Sequence, residues 1–271
     1  MTAVSAIKEK AAYLVFPPDI YCINCGRPVS SQNLYSLCDD CISEIKWANG
    51  KLCRRCGKLL EDWYPDDICG ECRNSERSFD SGISCFQYTD IERKLIQDFK
   101  YHGKSYMSRT FSEIAFDKIK AVCGSDLDFD LMIPVPMYPS KEKMRGYNQA
   151  SLLARYTAEK LGIPFRDDIL LRTRNTAPMN RLGIKDRADN LKGAFRLRYG
   201  TEKSVKGRHI LLTDDIYTTG ATSEACSKVL KEAGACRITV LSLASGRNQR
   251  VMPDISLYTA VENLSVDNDD I

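Results

Sequence analysis

The sequence predicts an α/β fold, a mostly parallel sheet flanked by helices, preceded by a small cysteine-rich region. Three observations lead there. Beyond Ser78, short apolar strands alternate with amphipathic helices; before it, cysteines recur in pairs; and late in the chain an apolar run leads into two acids, a hydroxyl-rich turn and a helix. A length of 271 residues predicts unequal parts: 1–78 for the cysteine region, 79–247 for the α/β domain and 248–271 for an acidic, polar tail. A chain that is 43% hydrophobic and 28% charged has enough apolar material for a core, which excludes wholesale disorder. The net charge of +3 is small beside 39 basic and 36 acidic residues and points to no partner by itself.

At the start, Met1 to Phe16 is interrupted by Lys8, Glu9 and Lys10 and has no long apolar stretch. Neither export nor membrane insertion is expected, and the expected location is the cytoplasm. Thiols stay reduced there, so twelve cysteines need a role other than disulfide formation.

Eight of them form four Cys-x-x-Cys pairs: Cys22/Cys25, Cys38/Cys41, Cys53/Cys56 and Cys69/Cys72. A shift of 31 positions carries the first four onto the second four, an internal repeat. Two residues between thiols let both sulfurs face one ion, and a second pair completes the tetrahedron that Zn²⁺ prefers. Gly26 and Gly57 follow the second cysteine of each leading pair, where a tight knuckle needs a residue without Cβ. Four thiolates leave no open coordination position, so the zinc is expected to be structural, and folding of the region to depend on it. Two pairings fit the spacing: sequential sites, which the chain order favours, and an interleaved cross-brace. Cys85, Cys123, Cys226 and Cys236 have no paired spacing and are expected to pack in the interior.

The α/β part follows in order. Ser84–Tyr88 reads as a strand, and Ile91, Leu95, Ile96 and Phe99 line one face of a helix. A second helix fits Tyr106–Val122. Leu131–Pro136 is a buried strand ended by Pro134 and Pro136, which lack the ladder donor. Gln149–Leu161 is helical and Gly162 ends it. Ile169–Leu171 and Ile210–Thr213 read as core strands, Thr222–Ala233 as a helix stopped by Gly234, and Ile238–Leu243 as a last strand.

The stretch Ile210-Leu211-Leu212-Thr213-Asp214-Asp215-Ile216-Tyr217-Thr218-Thr219-Gly220-Ala221-Thr222 carries the chemistry. Backbone N–H groups and the Thr218, Thr219 and Thr222 hydroxyls collect at the open end of a helix, where anions are stabilised. Gly220 lets the backbone approach a phosphate closely. Two adjacent carboxylates suit the paired O–H donors of a ribose diol.

This stretch resembles the binding signature for phosphoribosyl pyrophosphate (PRPP) of type I phosphoribosyltransferases. Thr213 and Tyr217 stand where that signature usually has aliphatic residues. Pro134-Val135-Pro136, Arg145-Gly146-Tyr147-Asn148-Gln149-Ala150, Arg172-x-Arg174-x-Thr176 and Arg187-x-x-Asn190 follow the order seen in ComF-type competence proteins. Phe99-Lys100-Tyr101-x-Gly103 and the doubled cysteine head are similar to that family too. Met179 replaces a glutamine common in it.

The resemblance implies a type I phosphoribosyltransferase-like fold and a Mg²⁺-dependent reaction with PRPP, linked to DNA uptake, for an acceptor the sequence does not reveal. It implies that Asp214 and Asp215 contact the ribose and are the catalytic candidates. Thr218, Thr219, Gly220, Ala221 and Thr222 would hold the 5′-phosphate; Met137, Tyr138 and Arg145 would serve the pyrophosphate. Thr173–Asp189 corresponds to a lid over the site. The competing expectation is a non-catalytic module binding PRPP or single-stranded DNA. That module would use the zinc head and the segment Arg166–Arg208, which has twelve Lys and Arg against five Asp and Glu. Proteins of the DNA-uptake machinery are the implied partners. Gly103-Lys104-Ser105 is no P-loop, because Asp98 replaces the first glycine.

Overall fold

The computed structural model describes residues 20–30, 32–176 and 189–246. Its centre is a four-stranded, all-parallel sheet of β1 (Ser81–Gln87), β2 (Leu131–Pro134), β5 (His209–Tyr217) and β6 (Arg237–Ser245). The strand order is β1-β6-β5-β2. β5 and β6, the two inner strands, are buried almost throughout, as a sheet covered on both faces requires.

Three helices cover one face: α3 (Asp90–Tyr101), α4 (Met107–Cys123) and α6 (Gln149–Leu161). Their stripes, including Leu95, Ile96, Phe99, Phe111, Ile119 and Leu153, close on Phe86, Leu211 and Leu241 of the sheet. Thr89 and Glu92 form a capping box that starts α3, and Asn148 accepts the Ala150 N–H to start α6. Gly162, at φ +68°, turns the chain out of α6 at the residue the sequence marked. α8 (Ala221–Glu232) lies on the other face with Cys226 and Leu230 against Ile210, Leu212 and Val240.

The cysteine region does not stand apart. Its short helices, α1 (Asp39–Glu44) and α2 (Gly70–Arg73), each carry one pair's second cysteine. The first repeat buries Cys22, Ile23, Leu37 and Cys41 with the three-helix face, and the second buries Cys53, Cys56, Leu60 and Cys72 with the α8 face. Between them, Lys46–Ala48 runs beside β1: Ala48 N–H donates to Cys85 O (2.9 Å) and Gln87 N–H to Lys46 O (2.8 Å). That covers an otherwise open sheet edge. Phe165 and its neighbours cover the opposite edge, with Met132 N–H donating to Pro164 O (2.9 Å).

Several expectations are corrected. Residues Leu170–Arg172 (β3) do not join the main sheet; they pair antiparallel with Phe195–Leu197 (β4) as a separate unit. The segment at Phe165 already occupies the edge of β2, so no ladder remains for them. β1 begins at Ser81, three residues early, because Gly82 packs bare backbone against the Cys56 knuckle. α5 (Pro139–Arg145) and α7 (Glu202–Val205) were not foreseen, although Pro139 in its first turn and Gly146 (φ +91°) bracket α5 in the usual way. Among the remaining cysteines, Cys85 and Cys226 are buried, while Cys236 is exposed and Cys123 half-buried. Among the described residues no helix is long and apolar enough to cross a membrane.

Candidate functional site

β5 continues in extended conformation through Asp214 and Asp215 to Tyr217, further than the apolar run alone indicates. Thr218–Gly220 then turns the chain into α8, with Gly220 at φ +76° as the N-cap. Asp214, Ile216 and every residue from Tyr217 to Ser223 line one small pocket. The five residues Thr218 to Thr222 thus come together around it with Asp214.

The acidic pair is tightly compensated. Asp214 accepts the Asp215 N–H at 2.8 Å, and Asp215 Oδ2 meets Lys100 Nζ at 2.9 Å, both side chains being 16% exposed. Burial and the neighbouring Asp215 charge push the Asp214 carboxyl up to about 7, against the opposing pull of Lys100 and Arg172. Burial alone would lower the Lys100 ammonium, but the two carboxylates outweigh it and hold it above its ordinary value.

Met137 and Tyr138 follow β2, whose Pro134 is in register with Thr213, so they sit at the same sheet end as the acidic pair. Asn148 fixes that turn by donating to Val135 O (3.0 Å). Arg145 closes α5, stacks on Tyr101 (4.8 Å) and donates to Gln149 Oε1 (2.6 Å), and Gln149 in turn donates to Lys100 O (3.3 Å). Arg145 therefore faces the same end of the sheet from the α5–α6 corner. Lys141 donates to Thr176 O (2.9 Å), and Arg172 bonds the Thr176 hydroxyl. Met179 and most of the predicted lid lie outside the described residues.

Sequence reasoning missed Lys100 and Arg172 as charge partners of the acids. Both lie inside the family-like motifs Phe99–Gly103 and Arg172–Thr176, but only the packing of α3 and β3 shows where their charges go. Much of the basic stretch is also spent locally: Arg166 pairs with Asp168, Arg198 donates to Asp168 O and Arg174 to Lys192 O. His102 is bonded to Asp98, and His209 is buried between Asp128 and Thr239.

In the cysteine region the ligand atoms of Cys22, Cys25, Cys38 and Cys41 lie within 4.8 Å of one another, and so do those of Cys53, Cys56, Cys69 and Cys72. This is the sequential pairing; the cross-brace is excluded. Each tetrad supplies four soft donors and no open position, as a structural zinc site does.

The repeat extends beyond cysteine. Arg27 pairs with Asp40 (2.6 Å), and 31 residues on Lys58 pairs with Glu71 (2.7 Å). Arg27 also donates to Cys25 Sγ (3.4 Å) and Cys38 Sγ (3.2 Å), offsetting thiolate charge. The first pair is 55% and 69% exposed, whereas Lys58 is 1% exposed.

Family comparison agrees with both halves. The double zinc ribbon domain family matches residues 11–73, and the phosphoribosyl transferase domain family matches residues 148–270. Competence protein F of Haemophilus influenzae is 34% identical over 226 residues, 82% of this chain and 96% of that protein. The chain belongs to the ComF family.

Competence protein ComFC of Bacillus subtilis is 30% identical over 219 residues, covering 73% of this chain and 79% of that protein. The DNA utilization protein YhgH of Escherichia coli K12 is 28% identical over 225 residues, 82% of this chain and 95% of that one. In this ComF protein the transferase match takes in β5, the acidic pair and α8, and the ribbon match takes in both cysteine tetrads. The zinc is accordingly structural and the fold type I phosphoribosyltransferase-like.

Proposed function

We propose that this ComF protein binds PRPP with Mg²⁺ at the sheet end formed by β5 and β2 and acts as a phosphoribosyltransferase-like component of DNA uptake in the cytoplasm. The observation that carries the reading is the pocket lined by Asp214 and the Tyr217–Ser223 turn. An acidic pair fits a ribose diol, and an amide- and hydroxyl-lined turn fits a phosphate. The buried Thr219 hydroxyl, which has no hydrogen-bond partner among the described residues, is suited to the same anion. Residues 79–247 carry this site and residues 1–78 the ribbons.

In this reading Asp214 and Asp215 orient the ribose so that its anomeric carbon faces the acceptor, and Thr218 to Thr222 anchor the 5′-phosphate. Arg145, with the turn at Met137 and Tyr138, neutralises the pyrophosphate as its bond to the anomeric carbon breaks. Bound with PRPP beside Asp214 and Asp215, Mg²⁺ would supply positive charge that offsets the charge of the departing pyrophosphate. The protein contributes position, charge compensation and exclusion of water. In the same reading Asp215, which pairs with Lys100, handles a proton of the acceptor. The relatives' names, competence and DNA utilization proteins, support an acceptor or partner connected with incoming DNA.

Calorimetry with PRPP and Mg²⁺ tests the pocket: binding is expected, and Asp214→Ala/Asp215→Ala should abolish it. Equal binding by the variant would remove the assignment. A screen for pyrophosphate release over bases, nucleosides and nucleotides then identifies the acceptor. A second reading, single-stranded DNA binding without turnover, draws on the relatives' names and on the excess of positive charge from Arg166 to Arg208. It predicts binding that weakens steeply with salt. Salt-independent binding, or none, counts against it.

A further inference from the structure

The two ribbons are built alike but used differently. The cation that the first pair keeps in solvent is buried in the second, where Lys58 lies over the Tyr217 ring, 5.6 Å from its centre, and its partner Glu71 is half-buried. Tyr217 is the residue from which the phosphate turn springs. Its ring meets Phe79 edge-on at 6.1 Å, and its buried hydroxyl fills the space where any Cβ at position 220 would stand.

A second link runs through the backbone. Arg55, inside the Cys53–Cys56 knuckle, donates to Arg77 O (3.3 Å). Arg77 Nη2 in turn donates to Thr219 O (3.0 Å) at the top of the turn. One residue on, Ser78 N–H and Oγ both bond the Glu224 carboxylate in the first turn of α8, at 2.8 and 2.6 Å. In a trans peptide the carbonyl and the following N–H point in opposite directions. By holding Thr219 C=O on the ribbon side, Arg77 turns the Gly220 N–H toward the opposite side of the loop.

We infer that Arg77 is a positioning residue of the phosphate turn and that the second zinc ribbon, through Arg55, Arg77 and Ser78, is part of the anion site. Zinc in that ribbon and a sugar phosphate in the turn then stabilise each other, because each holds the same segment. The first ribbon, which packs on the three-helix face, has no such link among the described residues. The inference rests on the PRPP reading of the pocket and adds a linkage that reading does not contain.

The test uses the full-length, zinc-loaded protein, with PRPP and Mg²⁺ as the probe. Calorimetry compares the unmodified protein with Arg77→Gln and Arg77→Lys, while mass spectrometry confirms two zinc ions per chain in each. Arg77→Gln is expected to weaken PRPP binding about tenfold, the loss typical of one charge-assisted hydrogen bond, and Arg77→Lys to recover part of it. Release of zinc to a chromogenic chelator, which needs no variant, is followed in parallel. Saturating PRPP should slow one of the two zinc ions about tenfold and leave the other unchanged, and Arg77→Gln should lose that protection. If the unmodified protein binds PRPP while Arg77→Gln binds it equally, or while both zinc ions leave at rates indifferent to PRPP, the linkage is wrong and the pocket assignment stands. If the unmodified protein binds no PRPP, both fall together.

Discussion

Asp214 joins burial to a neighbouring like charge, and its raised carboxyl, near pH 7, has two consequences. In the folded state it keeps a proton that the unfolded chain releases at an ordinary carboxyl pH. This contribution therefore favours folding less and less as pH rises from about 4 toward 7. A ribose diol needs the ionised acceptor, so PRPP affinity should rise with pH, by up to about tenfold per unit, and level off above 7. Calorimetry across pH 5.5–8.5 checks this. Asp214→Asn, measured alongside, should remove the part of the slope that does not come from the phosphates, and an unchanged slope would refute the assignment. Lys100 is the other half of the balance. Lys100→Met leaves a largely buried carboxylate without its partner and should lower stability in urea titrations by about 3 kcal/mol. Tyr217 brings a buried hydroxyl with no hydrogen-bond partner among the described residues to a position where the family signature is aliphatic. Tyr217→Phe should therefore cost nothing or add about 1 kcal/mol in the same titrations. Gly220→Ala, facing both a positive φ and the Tyr217 hydroxyl, should destabilise by about 2 kcal/mol or more. Tyr217→Phe should relieve part of that loss.

At the scale of elements, the two ribbons share one plan but differ in accessibility. Cys25 is exposed and Cys38 half-buried, whereas all four cysteines of the second tetrad are buried. A chelator should extract zinc in two phases, the first ribbon emptying first, and Cys25→Ser should eliminate the fast phase. A single phase involving both ions would contradict this. The helices with complete signals were readable residue by residue: α6 begins after Asn148 and stops before Gly162 as its pattern indicates. The pairing of β3 is not legible locally, because three apolar residues declare a strand but not its neighbour. α5 carries no periodic helical signal in the sequence, because its seven residues bury nothing and leave no apolar periodicity.

Across the whole molecule, the cysteine region and the α/β domain share both hydrophobic clusters instead of meeting at a linker. Gly57 and Gly82 make that intimacy concrete, since a Cβ on Gly57 would lie 2.5 Å from Gly82 O. Loss of the second zinc should therefore weaken the entire chain. Cys72→Ser should melt in one transition, shifted down by about 10 °C for a loss of about 4 kcal/mol. A melt with two transitions, the later one unmoved, would show that the ribbon folds apart from the sheet.

The sequence by itself determined the ligand chemistry of the head, the alternation that makes a parallel sheet, and the acidic pair leading into a hydroxyl-rich turn and a helix. Each of these depends on residue type and spacing along a few consecutive turns, which local geometry enforces wherever the segment sits. Only the tertiary structure decided that Lys100 would meet Asp215 and that Arg77 would reach Thr219 across 142 positions. Those contacts join segments remote in the chain. Their partners are chosen by how helices and ribbons pack on the two faces of the sheet, and no local pattern encodes that choice.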